Sequence, residues 1–225
     1  MSTLPRSACP FCNIASNYPP IPPTAITPEH NGPGKKPYTA PILLSDSSDP
    51  DQSTAHLVLS TKHVLAFLDI MPLTRGHVLV IPRSHCEKLG HVDVHVSREL
   101  GQWLPILSRV VMRTTSGDDD ASNWNWNVVQ NNGVSAAQQV PHAHFHIIPR
   151  PSLAPAAPKT ARASFVMFGR GQRDELDDDE GEELAGLLRG ELAREVLRIR
   201  REEGVDLESD LHDHLNDDRS VKGKL

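Results

Sequence analysis

Histidine alternates with apolar residues over one short segment, "PHAHFHIIP", from Pro141 to Pro149. In a β-strand, successive side chains point to opposite faces, so every second residue shares a face. The prolines at both ends limit the segment to the length of a strand. It therefore predicts a strand with one apolar face and one imidazole face. The imidazoles are those of His142, His144 and His146, and the apolar residues are Ala143, Phe145 and Ile147.

The spacing of the three histidines limits what they can do together. Alternate side chains of a strand lie about 6.6 Å apart, so neighbouring imidazoles can bracket one small anionic group. The alternative is a half-buried strand whose polar face is simply solvated. A single histidine would fit that alternative, whereas three on one face of a short strand favour a functional site.

Other segments predict an α+β fold with a mainly antiparallel sheet and a central helix. Three short runs rich in Val, Leu and Ile, in "AHLVLSTKHVLAFLDI" and "GHVLVIPRSH", are typical of consecutive antiparallel strands. Apolar residues recur at helical spacing between Ser97 and Thr115, with Ser97 as the expected N-cap and Pro105 expected to kink or split the helix. The segment "NWNVVQNNG" predicts a further strand that leads through a loop into the histidine strand.

Composition divides the chain into a core domain and three other regions. We expect residues 1–17 and 53–150 to form the domain, and residues 18–52, which hold nine of the nineteen prolines, to form a flexible insertion. Residues 151–203 are expected to contain a linker and an extra amphipathic helix, and residues 204–225 a disordered acidic tail. The helix is expected to pack on the core or on a second subunit. Its apolar face is predicted to contain Leu184, Leu187, Leu188, Leu192, Val196 and Ile199.

The composition argues against several classes of protein. The formal net charge is -6, and lysine and arginine form no long stripe, so we expect no nucleic-acid partner. No apolar run approaches the roughly 18 residues that span a bilayer, so we expect no membrane partner. Three cysteines do not make a disulfide framework, and we find no secretory signal before them. The expectation is a soluble protein of a reducing compartment, in the cytoplasm and also the nucleus.

The paired cysteines of "CPFC", Cys9 and Cys12, allow three interpretations: two ordinary thiols, a redox pair, or half of a metal site. A thioredoxin-like redox pair normally follows a strand of a βαβ unit, and only eight residues precede Cys9. A metal site needs two further ligands. His85 and one member of the histidine strand could supply them and give a Cys2His2 set for tetrahedral zinc. Cys86 competes with His85 for this role, although adjacent strand residues face opposite ways.

Four separated motifs occur in the order "CPFCNI", "FLDIMPLTRGHVLVIPRSH", "QNNG" and "HAHFHIIPR". Their types and order resemble the histidine triad (HIT) superfamily of nucleotide hydrolases and transferases. Within it, the chain is similar to the small histidine triad nucleotide-binding branch, whose members hydrolyse adenosine 5'-phosphoramidates. The resemblance covers Cys9 to Ile14 and Ala55 to Arg150. It implies a HIT-like α+β fold and a symmetric homodimer.

The resemblance also implies catalytic roles. His144 would be the nucleophile that attacks the α-phosphorus and forms a nucleotidyl-histidine intermediate. His146 would contact the phosphate, and His77 would help to assemble the site. Independently of the resemblance, the two same-face imidazoles of His144 and His146 and the Gln138 amide can supply hydrogen-bond donors for the charge that develops on the phosphoryl oxygens.

In members with paired cysteines, the first histidine of the triad is a metal ligand and not a catalytic group. The resemblance therefore implies a structural zinc site made by Cys9, Cys12, His85 and His142. One departure concerns the loop before the triad. This chain has Ala137-Gln138-Gln139 where the family usually has Gly-Gln-Ser/Thr, which changes the expected phosphate contacts more than the reaction class.

Five positions match nucleotide-binding positions of the family. Asp69 corresponds to the carboxylate that binds the ribose hydroxyls, and Asn131 lies before the loop that contacts the phosphate. Phe11, Ile14 and Phe67 correspond to residues near the base, although core packing is the plainer interpretation of any lone apolar residue. The partner implied by this set is a small purine nucleotide.

The function implied by the resemblance is the hydrolysis of adenosine 5'-phosphoramidates through a covalent nucleotidyl-histidine intermediate. An alternative within the superfamily is a dinucleoside polyphosphate hydrolase, which would use the same histidine on a larger substrate. From another class, the chain could be a nucleotide-binding regulator with little turnover, or a zinc-stabilised interaction module. Intact His144, His146 and His77 favour an enzyme.

Overall fold

The fold is α+β, as the sequence predicts. The computed structural model describes residues 9–25, 55–117, 120–150 and 173–209. Within these ranges it has three α-helices and one five-stranded sheet. The helices are α1 (Pro10–Asn17), α2 (Val94–Thr115) and α3 (Asp178–Glu203). The strands are β1 (Leu57–Ser60), β2 (Val64–Leu68), β3 (Val78–Pro82), β4 (Trp126–Gln130) and β5 (Phe145–Pro149).

The histidine strand β5 lies inside the sheet, between two other strands. The strand order is β1-β2-β3-β5-β4, and every neighbouring pair is antiparallel. The register pairs His146 with Leu79 on one side and with Val129 on the other. Both flanking strands therefore fix the position of His146 along the sheet.

Each face of the sheet is covered by helices. Alternate residues of β3, such as Val78 and Val80, pack with α2 and α3, while Leu79 and Ile81 pack with α1. Because directly paired residues of neighbouring strands share a face, His146 lies on the same face as Leu79. His146 therefore lies on the face of the sheet that carries α1.

The histidine strand, β5, is shorter than the sequence predicts. It begins at Phe145, so the prediction of one strand through all three histidines is wrong for His142 and His144. The physical reason lies just before them. Pro141 has no N–H to pair, and the His142 N–H donates to the Val140 carbonyl at 2.8 Å, which closes a tight turn.

The predicted apolar face of this segment is confirmed. Ala143 and Ile147 are fully buried, and Phe145 packs against the core beneath α2 and α3. The alternation therefore persists through the irregular part of the segment, although hydrogen bonding of the strand does not.

Helix α2 begins earlier than predicted. Its N-cap is Asp93 and not Ser97, because the Asp93 carboxylate accepts the N–H of Val96 at 3.0 Å. Pro105 lies inside the helix, which is continuous from Val94 to Thr115, so the proline does not split it.

Helix α3 packs on the sheet and on α2, as one of the two predicted arrangements requires. Five of the six predicted apolar residues are buried, but Leu187 is 50% exposed. The buried face extends instead toward Ala185 and Ala193, whose small side chains allow close approach. Leu187 therefore points to solvent on the other side of the helix.

Two segments outside the main domain meet at a buried carboxylate. Glu208 is 1% exposed and accepts the backbone N–H of Thr24 at 2.8 Å and its hydroxyl at 2.7 Å. Residues 18–25 and 204–209 are thus packed against the fold. The expected flexibility of residues 26–52, the expected linker over residues 151–172 and the expected disorder of residues 210–225 lie outside the described residues.

The long helices are amphipathic. Helix α2 has 22 residues and α3 has 26, and both carry charged residues along their length. In the ranges that the structure covers, no helix combines the length and apolar character needed to cross a membrane.

Candidate active site and metal centre

Two cysteines and two histidines from distant parts of the chain converge at the start of α1. Cys9 immediately precedes the helix and Cys12 lies in its first turn. The Nδ1 atom of His142 is 3.5 Å from the Cys9 Sγ atom and 3.7 Å from the Cys12 Sγ atom. The Nδ1 atom of His85 is 3.2 Å from the Cys12 Sγ atom, and all four candidate ligand atoms lie within 4.8 Å of one another.

These distances fit a tetrahedral metal ion. With metal–sulfur bonds of about 2.3 Å and metal–nitrogen bonds of about 2.0 Å, sulfur and nitrogen ligands of a tetrahedral ion lie about 3.5 Å apart. The three sulfur–nitrogen distances, 3.2, 3.5 and 3.7 Å, are close to that value. Cys86, the competitor for His85, is outside this group, and its carbonyl accepts the N–H of Ala143.

His142 is held in the protonation state that a metal requires. Its Nε2–H donates to the Pro82 carbonyl at 2.9 Å, so its Nδ1 lone pair faces the two thiols. Burial lowers the pKa of His142 to about 4, although the Pro82 carbonyl opposes this shift. The ring is therefore neutral near pH 7, as a metal ligand must be.

His144 is oriented by the backbone of the same metal-site residue. The Nδ1–H of His144 donates to the His142 carbonyl at 2.6 Å. The Nε2 atom of His144 therefore carries the lone pair. Burial lowers the pKa of His144, which favours the neutral, nucleophilic form.

A chain of hydrogen bonds fixes the tautomer of His146. An amide N–H can only donate, so the contact of 3.2 Å from Leu73 N–H makes the Nδ1 atom of His77 an acceptor. The Nε2–H of His77 then donates to the Nδ1 atom of His146 at 3.0 Å. His146 must consequently carry its own proton on Nε2.

The His146 ring lies beside the His144 ring. The rings of His144 and His146 have centroids 4.8 Å apart and an interplanar angle of 72°. Burial lowers the pKa of His77 to about 3 and that of His146 to about 4, so both rings are neutral near pH 7. The site therefore offers one nitrogen lone pair and one nearby N–H donor without a net charge on the rings.

Asp69 closes the other end of this cluster. Its Oδ2 atom is 3.3 Å from the Nδ1 atom of His77, and its Oδ1 atom accepts the N–H of Met71 at 2.9 Å. Burial raises the pKa of Asp69. The side chains of Asp69, His77 and His146 are close enough to hold an ion, but the hydrogen bonds already use both nitrogens of His77.

Two of the apolar residues expected near the base, Phe11 and Phe67, lie beside His144. Phe11 makes edge contacts with Phe67, with ring centroids 5.6 Å apart, and with His144, at 5.3 Å. Ile14 lies one helical turn further on and is buried in the same apolar cluster under α1. The structure therefore brings Phe11 and Phe67 to the histidines and places Ile14 in the adjoining core.

The structure gives Gln138 a different task from the one predicted. Its amide is buried: Nε2 donates to the Glu87 carbonyl at 2.7 Å and to the His142 carbonyl at 3.3 Å. Its Oε1 atom accepts the N–H of Gly133 at 2.6 Å. Through these hydrogen bonds to backbone groups, the Gln138 side chain holds the loop between β4 and the histidines in place.

Asn131 directly follows the residue of β4 that pairs with Phe145. It follows β4, and its carbonyl accepts the Gln130 side-chain N–H at 3.0 Å. In the described part of the chain, no hydrogen bond or ring contact joins Asn131 to the histidines.

The groups that orient the rings of His77 and His144 were not predicted from the sequence. These groups are the Leu73 N–H and the His142 carbonyl. Both belong to the backbone, so the residue types at these positions do not predict the contacts. Arg173 was also missed. It lies just before α3, and its guanidinium donates to the Met71 carbonyl at 3.2 Å, next to Asp69.

Fold and site together define a class: an α+β protein in which two cysteines and two histidines that could hold a metal ion lie beside a histidine cluster on an antiparallel sheet. Residues 51–153 match the HIT domain. An uncharacterized HIT-like protein from Methanocaldococcus jannaschii is 41% identical over 124 residues, which are 55% of this chain and 84% of that protein. The chain belongs to the HIT family.

Further relatives and solved structures agree with this assignment. An adenosine 5'-monophosphoramidase from Schizosaccharomyces pombe is 42% identical over 88 residues, and the match spans 39% of this chain and 59% of that protein. The crystal structure of a Zn-bound histidine triad family protein from Mycobacterium smegmatis superposes with a TM-score of 0.52 at 23% identity, over 84% of this chain and 96% of that one. That likeness confirms the fold.

Proposed function

We propose that this protein hydrolyses adenosine 5'-phosphoramidates by transferring AMP first to His144 and then to water. The observation that carries the proposal is the 2.6 Å hydrogen bond from the His144 Nδ1–H to the His142 carbonyl. It leaves the Nε2 lone pair as the only nucleophilic atom of a buried, neutral imidazole. The name of the Schizosaccharomyces pombe relative supports the same reaction.

In the first step, the Nε2 atom of His144 attacks the α-phosphorus as the bond between phosphorus and the leaving nitrogen breaks. The substituted imidazole becomes positively charged and keeps its Nδ1–H on the His142 carbonyl, which stabilises that charge. The leaving nitrogen takes up a proton and departs as an amine.

In the second step, water attacks the phosphorus, AMP leaves and the Nε2 lone pair of His144 is restored. Water releases one proton, which balances the proton taken up by the amine. The His146 Nε2–H stabilises the negative charge on the phosphoryl oxygens in both steps. The Leu73 and His77 hydrogen bonds support this role because they keep the proton of His146 on that nitrogen.

The remaining predicted residues support a nucleoside beside this phosphate position. Asp69 provides carboxylate oxygens close to His77, and Phe11 and Phe67 provide aromatic edges close to His144. Ribose hydroxyls and a purine ring are the groups that such side chains bind.

The experiment that tests this function combines turnover with capture of the intermediate. Purified protein is mixed with adenosine 5'-phosphoramidate, quenched in alkali and digested, and the peptides are analysed by mass spectrometry. We expect an added mass of one AMP on His144, and loss of both adduct and turnover in His144→Ala. His95→Ala, at an exposed position of α2, is the matched control.

The other outcomes distinguish the alternatives. An adduct with diadenosine polyphosphates but none with the phosphoramidate would indicate the dinucleoside polyphosphate hydrolase. Tight AMP binding without adduct or turnover would contradict the enzyme and indicate a nucleotide-binding regulator.

We propose zinc as the ion of the Cys2His2 centre. Two thiolates and two imidazoles around a tetrahedral position are a typical zinc set, and four protein ligands leave no open position for substrate. The role of Cys9, Cys12, His85 and His142 is therefore structural: they attach the start of α1 to the sheet.

We also propose that the protein is a homodimer joined at the edge of its sheet. Strand β4 pairs with β5 on one side, and among the strands described here none covers its other side. Trp126 is 41% exposed and Val128 is 45% exposed on this edge. A second copy would pair the open edge and bury these side chains.

A further inference from the structure

The segment that leads into helix α3, residues 173–176, lies against the turn after strand β2. The Leu176 N–H donates to the Ile70 carbonyl at 2.8 Å, and the Arg173 guanidinium donates to the Met71 carbonyl at 3.2 Å. The residues that match the HIT domain end before this segment begins. A part of the chain outside that domain is therefore bonded to the turn.

The turn itself has few other contacts at these two positions. The side chains of Ile70 and Met71 are 56% and 37% exposed, so they add little packing. In the described part of the chain, no other hydrogen bond reaches the carbonyls of these two residues. Leu176, by contrast, packs against the main apolar core. The hydrogen bonds from the 173–176 segment therefore attach the turn to a firmly packed part of the fold.

The same turn determines which nitrogen of His77 carries the proton. Leu73, two residues after Met71, donates its N–H to the Nδ1 atom of His77 at 3.2 Å. This distance is at the long end of the range for a hydrogen bond, so a small displacement of the turn would break it. While the bond exists, Nδ1 is an acceptor, and the His77 proton lies on Nε2.

Asp69 competes with Leu73 for the same nitrogen. Its Oδ2 atom is 3.3 Å from the Nδ1 atom of His77, and a carboxylate oxygen only accepts hydrogen bonds. Without the Leu73 N–H, the His77 proton would move to Nδ1 and face Asp69. The Nε2 atom of His77 would then accept a hydrogen bond from the Nδ1 atom of His146. Each ring would keep one proton, but His146 would lose the Nε2–H that the proposed reaction uses.

We propose that Leu176 is a positioning residue for this reaction. Its backbone N–H holds the turn so that the Leu73 N–H meets His77, and this contact keeps the proton of His146 on Nε2. The inference rests on the proposed function, because the Nε2–H acts there on the phosphoryl oxygens.

The experiment uses two replacements of the same residue. Leu176→Pro removes the N–H, whereas its matched control, Leu176→Ala, keeps the N–H and removes the packing of the side chain. Residue 176 precedes the N-cap of α3, Asp177, so the proline removes no hydrogen bond of the helix. We expect Leu176→Pro to lower kcat for adenosine 5'-phosphoramidate about ten-fold, less than complete loss of the donor, because a minor tautomer retains it. KM should stay close to the wild-type value, and Leu176→Ala should keep kcat.

Nitrogen NMR of the protein without substrate measures the tautomer of His146. The wild type and Leu176→Ala should show the Nε2–H form, and Leu176→Pro should show mainly the Nδ1–H form. Addition of Asp69→Asn to Leu176→Pro should restore the Nε2–H form. The Met71 N–H keeps the amide oxygen at the position of Oδ1, so the amide nitrogen faces the Nδ1 atom of His77 and donates to it.

A folded Leu176→Pro protein that keeps the Nε2–H form of His146 would overturn the inference. Equal losses of kcat in the proline and alanine variants would overturn it too, because the side chain would then only support the fold. If circular dichroism shows that Leu176→Pro does not fold, Arg173→Met decides by the same NMR measurement. It removes the hydrogen bond to the Met71 carbonyl without altering the backbone, so it should also populate the Nδ1–H form, and an unchanged tautomer would overturn the inference.

The NMR measurement separates this inference from the proposed function because it needs no turnover. Wild-type protein that does not hydrolyse the phosphoramidate would refute the function, and the tautomer would still decide on the role of Leu176. Normal turnover by the wild type, with an unchanged tautomer in Leu176→Pro, would refute the inference alone.

Discussion

His142 uses two of its groups for two different purposes. The Nδ1 atom of its ring faces the thiols of Cys9 and Cys12, and its backbone carbonyl accepts the Nδ1–H of His144. A displacement of this one residue would therefore change both the candidate metal site and the orientation of His144, the proposed nucleophile.

Replacement of His77 tests the hydrogen-bonded chain behind His146. In His77→Phe, the Nδ1 atom of His146 loses its donor, so the ring can place its proton on either nitrogen. We expect kcat for adenosine 5'-phosphoramidate to fall about 100-fold, the scale of a lost proton-positioning group. KM should change much less, because the His77 ring is itself buried.

Two further measurements interpret that result. Nitrogen NMR shifts should show His146 as the Nε2–H tautomer in the wild type and as a mixture in His77→Phe. His95→Phe should behave like the wild type in both assays. A His77→Phe protein with a single His146 tautomer and full kcat would contradict the relay.

Replacement by alanine is expected to have opposite effects on stability at two glycines of helix α3, Gly181 and Gly186. A Cβ atom at Gly181 would overlap the His56 ring, whereas one at Gly186 would only touch Arg189 at 3.8 Å. Alanine favours a helix over glycine by roughly 0.5–1 kcal/mol. We expect Gly186→Ala to stabilise the protein by this amount and Gly181→Ala to destabilise it by about 1 kcal/mol, because overpacking outweighs propensity.

Urea unfolding of the two variants checks this prediction. In a His56→Ala background the overlap is removed, so Gly181→Ala should become stabilising. Equal stabilisation by both glycine replacements in the wild-type background would show that His56 does not restrict the approach of α3.

Helices α2 and α3 are joined by one buried carboxylate. Burial raises the pKa of Glu195, but hydrogen bonds from Arg198, Arg113 and Arg109 outweigh it and lower the pKa to about 2, from an ordinary value of 4.5. A carboxyl with a lowered folded pKa stabilises the fold fully above pH 4.5. That stabilisation is lost as the pH falls from 4.5 toward 2.

Glu195→Gln should therefore destabilise the protein most at neutral pH. We expect a loss of about 2 kcal/mol at pH 7, below the range for a fully buried pair because the three arginine side chains reach solvent. The difference from the wild type in urea midpoint should shrink between pH 4.5 and pH 3. Glu183→Gln, at an exposed position, should match the wild type, and a constant difference for Glu195→Gln would rule out this charge cluster as its cause.

Local patterns in the sequence predict the elements better than their contacts. The Val-rich and Leu-rich runs predict β1, β2 and β3, because alternating or wholly apolar short runs have few other stable arrangements. The start of α2 was missed because Asp93 and Ser97 are both good caps, and tertiary packing selects between them. Leu187 was predicted to be buried but is exposed. Helical spacing defines a stripe of apolar residues, but it does not show which residues at the margins of the stripe pack against the core.

For the candidate site too, the sequence predicts the residues better than their contacts. Motif positions indicate His144, His146, His77 and the four metal ligands, which the structure brings into two adjoining clusters. The contacts of Gln138 and Arg173 depend on how loops and α3 pack, and no local pattern encodes them.

For the whole molecule, the metal centre predicts a strong dependence of stability on the ion. Cys9 and His142 are 133 positions apart, so the centre closes a long loop of chain. We expect one zinc per chain by elemental analysis of the wild type, and a loss of about 5 kcal/mol on its removal, which lowers Tm by roughly 10–20 °C. Cys12→Ser should show the same loss of zinc and stability.

Cys86→Ser is the matched control, since this thiol is next to His85 in sequence but outside the ligand group. It should retain zinc and Tm. Full zinc retention by Cys12→Ser would contradict the assigned ligand set.

The open edge of the sheet predicts how the proposed dimer can be dissociated. A lysine at an exposed edge position opposes pairing with a second sheet, so Val128→Lys should convert the protein from the mass of two chains to that of one. Light scattering after gel filtration measures this mass. Leu187→Lys, which alters an exposed apolar residue of α3, should leave the mass of two chains, and a wild type with the mass of one chain would refute the dimer.

The positions of the four proposed metal ligands along the chain also set the order in which the site can form during synthesis of the protein. Cys9 and Cys12 emerge from the ribosome first, His85 follows, and His142 comes last, two residues before His144. More than half of the chain must therefore be translated before the last of the four residues, His142, can join the two thiols. A chain interrupted before residue 142 lacks both the last ligand of the proposed metal centre and the proposed nucleophile, so the same stretch of translation would complete both.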